Sequence, residues 1–195
     1  MVIEAFVLSI LIGFARRGRL HNLGRAPLRY VYMFVPPFAI LAGAEAIGFA
    51  KAVQAWQPYL MAANIIQYVT LLAAIALNFH IREMWLAGIG TFLNFLAIAA
   101  NGGMMPMSTR ALQIAGIREL LDPERISQFV RHAIMAPETR LKLLADVIPV
   151  PGFSIIITPQ VASIGDLLVA VAVFLFIQRY MLAPAADLKE KPTGG

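Results

Sequence analysis

The sequence predicts an all-α protein: an integral membrane helical bundle of about five transmembrane helices, with amphipathic helices on its outer face. Three observations predict it. The 195 residues are 59% hydrophobic and only 14% charged, whereas a soluble domain carries roughly 25% charged residues; mean hydropathy is +0.74. The apolar residues fall in several long runs, as spans of about 20 residues across a ~30 Å hydrocarbon core require. Basic residues flank those runs, so topology explains the net charge of +5 better than nucleic acid does. No nucleic-acid motif, repeat or low-complexity tract is present, and nucleic acid is not an expected partner. The bilayer is, together with a membrane-protein partner or further copies of the chain. No cysteine is present, which excludes disulfides and thiolate metal sites. The length suits one membrane domain, residues 1–195.

Five spans are expected. The first is Met1 to Ala15, short and carrying Glu4. The second is about Tyr30 to Ala50, with a kink near Val35 because Pro36-Pro37 removes backbone donors; it carries Glu45. The third is about Tyr59 to Phe79, the fourth about Met84 to Ala100, and the fifth about Val161 to Tyr180. Arginines follow the first apolar run in ARRGRLHNLGR instead of preceding it. That order describes a retained anchor, not a cleaved signal peptide. With Arg16, Arg17, Arg19, Arg25 and Arg29 inside, the N-terminus is outside and the C-terminus cytoplasmic.

Residues 101–160 read as an outward-facing amphipathic segment. Asp122-Pro123-Glu124 has the form of a helix start, and Ile126, Phe129, Val130, Ala133 and Ile134 follow at helical spacing. Thr109 is expected to cap an earlier helix to Leu121. Pro137-Glu138 is expected to open a third, carrying Leu141, Leu144 and Ala145. Such helices lie on the membrane surface or fold back over the bundle.

The polar residues concentrate toward the outer side. Asp166 sits about six residues into the fifth span, where an ionised carboxylate costs about 2.5–3.5 kcal/mol at the centre and less near an interface. Such a group pairs, faces a wet cavity or reacts; alternatively Asp166 is the N-cap of a shorter helix. Asn94 and Asn101 are seven residues apart on one helix face. Gly102-Gly103 then breaks the helix. Asn64, Gln67 and Ser163 lie at the same depth. Asp146, twenty residues before Asp166, is expected to converge with it beside Asn101. Two carboxylates in one site cannot both ionise easily, so one takes the acid role and the other the base role around a water. Pairing with Arg140 or Arg131 is the structural alternative for Asp146. His21, His80 and His132 form no metal-ligand spacing, and the Met104, Met105, Met107 turn is read as packing. No metal or cofactor is expected.

The stretches NGGMMP, LLADVIPV and SIGDLLVAVAVFLF, with RRGRLHNL early in the chain, resemble a family of uncharacterised multi-pass bacterial membrane proteins, a domain of unknown function. The resemblance covers nearly the whole chain. It implies a bacterial inner membrane and marks Asn101, Gly102, Gly103, Pro106, Asp146, Gly165 and Asp166; Ala145 stands where that pattern has glycine. ADVIP and SIGD are also similar in order, spacing and topology to the two aspartate motifs of lipoprotein signal peptidase. That family's G-N-x-x-D-R motif has no counterpart here, and Ser163 replaces its last-motif asparagine.

Three functions fit these residues. The first, which these residues favour, is a non-enzymatic multi-pass membrane protein of unassigned molecular function with a polar site at its outer face, its motifs being turns and caps. The second is an aspartyl-type peptidase using Asp146 and Asp166, with Asn94, Asn101, Gly102, Gly103, Pro106, Ser163 and Gly165 shaping its site. The third is a small proton-coupled carrier using Asp166 and Glu45. The distance between the two carboxylates separates them.

Overall fold

The computed structural model describes residues 1–35, 39, 53–117, 132–152 and 158–184. The second span beyond Val35, with Pro36, Pro37 and Glu45, lies outside the described residues. So do the Asp122-Pro123-Glu124 helix, Arg118, Arg125 and Arg131.

The described chain is mostly helical. It runs α1 (Val2–Ala15), two 3-10 turns (Leu20–Arg25 and Val31–Phe34), α2 (Val53–Ala76), α3 (Arg82–Ala100), β1 (Met105–Met107), α4 (Thr109–Ala115), β2 (His132–Ile134), a 3-10 turn (Lys142–Leu144), β3 (Ile148–Val150), β4 (Gln160–Ala162) and α5 (Ile164–Leu182). Two helices, α3 and α5, are long and apolar enough to cross a membrane, at 19 residues each; at 1.5 Å per residue each spans about 28 Å. α1 is apolar but shorter.

Several expectations are corrected. Residues 101–162 contain two two-stranded sheets, so all-α holds only for the bundle. Ser108, not Thr109, caps α4, through its side chain and the Ala111 N–H, and Gly116 ends that helix in the left-handed region, before Leu121. Pro137-Glu138 forms a turn, and Leu141 onward makes only one 3-10 turn. Proline and the left-handed Leu141 (φ 52°) interrupt what spacing alone reads as a helix. The fifth helix begins at Ile164, since Val161 and Ala162 belong to β4.

Asn78, Asn22 and Gln178 tie the helices together at the end where the arginines gather. Asn78 accepts from the Arg29 N–H at 2.7 Å and donates to the Arg29 carbonyl at 3.0 Å. Asn22 donates to the Met181 and Ala183 carbonyls. Gln178 donates to the Ser9 carbonyl at 2.6 Å, and Ser9 Oγ donates to the Phe174 carbonyl. These contacts run α1 alongside α5 in the same direction. α3 runs opposite to α5: Arg179 pairs with Glu83 at one end, while Asn94 donates to Asp166 at the other.

α3 and α5 touch through glycine. A Cβ on Gly165 would stand 2.1 Å from Asn94 Oδ1 and 2.5 Å from the Gly90 carbonyl. Both neighbours are held by the opposing helix, so neither yields cheaply, as in small-residue helix contacts generally. Gly165→Ala is therefore expected to lower stability by about 1–3 kcal/mol, the usual overpacking cost, and to break the Asn94–Ser163 bond. A denaturant titration in mild detergent checks it; an unchanged midpoint contradicts the close packing.

The helices are apolar on their outward faces and bury several polar side chains among an otherwise apolar core. Outward stripes are apolar: Trp85, Ile89 and Phe92 on α3, and Ile164, Leu167, Val171 and Leu175 on α5, with Ile3, Leu11 and Phe14 on α1. Inward, Ser9, Asn64, Thr91, Asn94, Ser163 and Gln178 are buried. Exposed apolar patches of that extent call for a covering medium.

Candidate functional site

Asp146 is positioned by backbone hydrogen bonds. The left-handed glycines Gly102 (φ 68°) and Gly103 (φ 86°) end α3 and turn the chain into β1. A Cβ on Gly103 would stand 2.8–2.9 Å from Met61 atoms, two of them backbone, so both conformation and space require glycine there. The Gly103 carbonyl accepts from Asn64 at 2.7 Å. β1 pairs in parallel with β2, Met105 opposite His132. On its other side β1 bridges to Asp146: the Asp146 N–H donates to the Pro106 carbonyl at 2.9 Å, and Ser108 N–H donates to the Asp146 carbonyl at 3.0 Å. The NGGMMPMS stretch thus forms the strand that carries Asp146.

The twenty-residue spacing to Asp166 closes through a second sheet. β3 and β4 are antiparallel with Ile148 opposite Ala162. That register returns the chain beside Asp146 just as α5 begins. Ser163 is the N-cap of α5 and Asp166 is its third residue, and together they form a reciprocal capping box. Ser163 Oγ accepts from the Asp166 N–H at 2.9 Å, and Asp166 Oδ2 accepts from the Ser163 N–H at 3.1 Å. So Asp166 is not the N-cap, but it is held by the helix start. Its other oxygen accepts from Asn94 Nδ2 at 2.8 Å, and Asn94 Oδ1 accepts from Ser163 Oγ at 2.7 Å. Asn94, Ser163 and Asp166 form one closed network.

Both carboxylates line a cavity of about 120 Å³, with Asn64, Tyr68, Asn94 and His132 as its other polar walls. Ile98 and Met105 supply apolar wall. Asp146 is 4% exposed, and its Oδ1 has no donor among the described residues. His132 Nε2 lies 3.7 Å from the other oxygen. Burial pushes the Asp146 carboxyl up to about 8, helped by the negative charge of Asp166 at the same cavity. At neutral pH Asp146 therefore keeps its proton. Asn64 Oδ1 and Gln67 Oε1 are also buried without a partner among the described residues.

The expected site divides in two. Asp146, Asp166, Asn94 and Ser163 come together, and Gly165 lets α3 approach. Asn101 does not join them. It donates to the Ala97 and Arg140 carbonyls and accepts from the Arg140 N–H, fastening the segment around Arg140 to the end of α3. Arg140 forms no ion pair with Asp146; the basic neighbour is His132. Sequence reading missed His132 and Tyr68, because only the β1–β2 pairing and the approach of α2 bring them to the cavity.

Fold and site together define a mostly helical protein with two potential membrane-crossing helices and, at one end, a buried and a half-buried acid on one cavity. The chain belongs to a family of unknown function, DUF5317, which matches residues 25–178 and so takes in both carboxylates. It is similar to an uncharacterized protein of Thermotoga maritima, 26% identical over 179 residues, covering 90% of this chain and 89% of that one. No solved structure matches.

Proposed function

We propose that the chain is a multi-pass inner-membrane protein, N-terminus outside and C-terminus cytoplasmic, whose outer-face site hydrolyses an amide bond by paired carboxylates, as aspartyl peptidases do. One observation carries the chemistry: Asp146 and Asp166 arrive from different elements at one small cavity, where Asp146 is buried. The apolar outward stripes support the membrane placement.

The roles follow from the surroundings. A water in the cavity attacks the carbonyl carbon while Asp166 takes one of its protons and Asp146 gives its own to the carbonyl oxygen. As the C–N bond breaks, the leaving nitrogen takes the proton from Asp166 and the diol returns one to Asp146. The capping box and Asn94 hold Asp166 in place.

The cavity's size favours a second reading. At ~30 Å³ per water, about 120 Å³ accommodates about four waters and no peptide side chain of size, so the same pair would serve a proton-coupled carrier. One experiment separates them. The purified protein is added to membranes and new N-termini are mapped by mass spectrometry; in parallel it is placed in proteoliposomes with a pH-sensitive dye. Cleavage that stops in Asp146→Asn supports hydrolysis. Proton movement without cleavage transfers the site to the carrier reading. Alkaline carbonate washing tests the membrane placement itself: the chain is expected to stay in the pellet, and release into the supernatant contradicts it.

A further inference from the structure

The opposite end of the bundle holds a second, larger cavity, of about 860 Å³. Arg16, Arg25, Arg82 and Arg179 line it against a single acid among the described residues, Glu83. Two of the four cations are engaged within the protein: Arg179 pairs with Glu83 at 3.2 Å, and Arg16 donates to Gln178 at 2.9 Å. Arg25 and Arg82 have no hydrogen bond or ion pair among the described residues. They come from different elements, the first 3-10 turn and the start of α3, yet face the same space. An apolar groove of about 350 Å³ lies beside it and shares Glu83 with it. Leu23, Met84, Ala172 and Phe176 are among its walls. One residue separates Leu23 from Arg25 and one separates Arg82 from Met84, so charged cavity and apolar groove are continuous along the same elements.

We infer that this end binds an anionic phospholipid, its phosphate among Arg16, Arg25, Arg82 and Arg179 and one acyl chain in the groove beside them. A free phosphate would use only the first half of the site. A neutral lipid would use only the second. The juxtaposition of cationic cavity and apolar groove fits a ligand that is anionic at one end and aliphatic at the other. Guanidinium groups suit phosphate through paired N–H donors. The inference rests on the membrane placement proposed above, not on the chemistry of the acid pair.

The test uses the full chain purified in a neutral detergent, with lipid retention read by native mass spectrometry. Phosphatidylglycerol is compared with phosphatidylcholine of the same acyl chains. Retention of phosphatidylglycerol is expected to exceed that of phosphatidylcholine at least tenfold. Surface basic residues contribute about 1 kcal/mol each toward anionic lipid, so Arg25→Gln and Arg82→Gln should each weaken it about fivefold. Neither side chain supports the fold through a bond, and Arg110→Gln, near the acid-pair end, should change nothing. Inorganic phosphate and glycerol 3-phosphate, which lack chains, should not displace the lipid at equal concentration. Equal retention of the two lipids overturns the inference, as does an undiminished preference in the double Arg25, Arg82 variant. Displacement by phosphate alone makes the site one for free anions and overturns the lipid assignment. Because this readout is taken in detergent, it is separate from carbonate washing: a chain released by carbonate refutes the membrane placement, whereas a chain that stays and shows no lipid preference refutes only this site.

Discussion

Asp146→Asn and Asp166→Asn are each expected to lower hydrolysis by roughly 10²–10⁴-fold, the usual contribution of a positioned acid or base, but with opposite structural consequences. Asp146 is already neutral at pH 7 in the native chain, held so by burial and by the facing Asp166. An asparagine there is close to isosteric, and its amide can donate where the carboxylic proton did. The Asp146→Asn protein should fold as well as the native one while losing its acid. Asp166 is different. Both of its oxygens accept hydrogen bonds, from Asn94 Nδ2 and the Ser163 N–H. Asparagine offers one acceptor and turns an N–H₂ toward a donor, which leaves a half-buried group unsatisfied at about 1 kcal/mol. The Asp166→Asn variant should lose activity and stability together. Activity and denaturant midpoints measured on the same samples check both statements. Native-like cleavage in either variant removes the pair from the reaction, and a stability loss in Asp146→Asn larger than in Asp166→Asn reverses the assignment of charge.

The apolar runs and the NGG turn were legible because they depend on local composition and on conformations that only glycine adopts freely. The break after α3 falls at Asn101, as the glycines require. The convergence of Asp146 with Asp166 was also legible, from their motifs and spacing. The means of convergence was not. Strands of three residues such as Met105–Met107 and Ile148–Val150 contain prolines and no clear alternation, so their pairing is set by partners distant in sequence. The same holds for His132, which reaches the cavity only through its register against Met105. Periodicity instead suggested helices at Pro137-Glu138 and through to Leu121, where a left-handed Leu141 and Gly116 interrupt the chain. Asn101 illustrates the converse. It shares a helix face with Asn94, yet its hydrogen bonds go to Ala97 and Arg140, because the helix ends before it and the backbone needs those partners.

The stability of the chain is expected to fall as pH rises from about 4 to about 8. In the unfolded chain Asp146 releases its proton near the ordinary value of 3.8, whereas the folded chain keeps it up to about 8. Across that window the folded state binds the extra proton, so each unit of rising pH favours unfolding. Below the window both states are protonated, and above it both are ionised, so the slope from this group vanishes at either side. At about 1.4 kcal/mol per unit the full excursion is on the order of 5 kcal/mol, an upper figure because an ionised Asp146 would also find His132 at 3.7 Å. The Asp146→Asn variant has no proton to lose and should be flat across the same range. Its advantage over the native protein should therefore grow with pH and be largest at pH 8 to 9. Denaturant unfolding in mild detergent at pH 4.5, 6, 7.5 and 9 gives the comparison. If the two proteins change in parallel, Asp146 is not the buried acid that the cavity requires. Hydrolysis should follow the same group in the same direction, falling above pH 8 as Asp146 loses the proton it must donate.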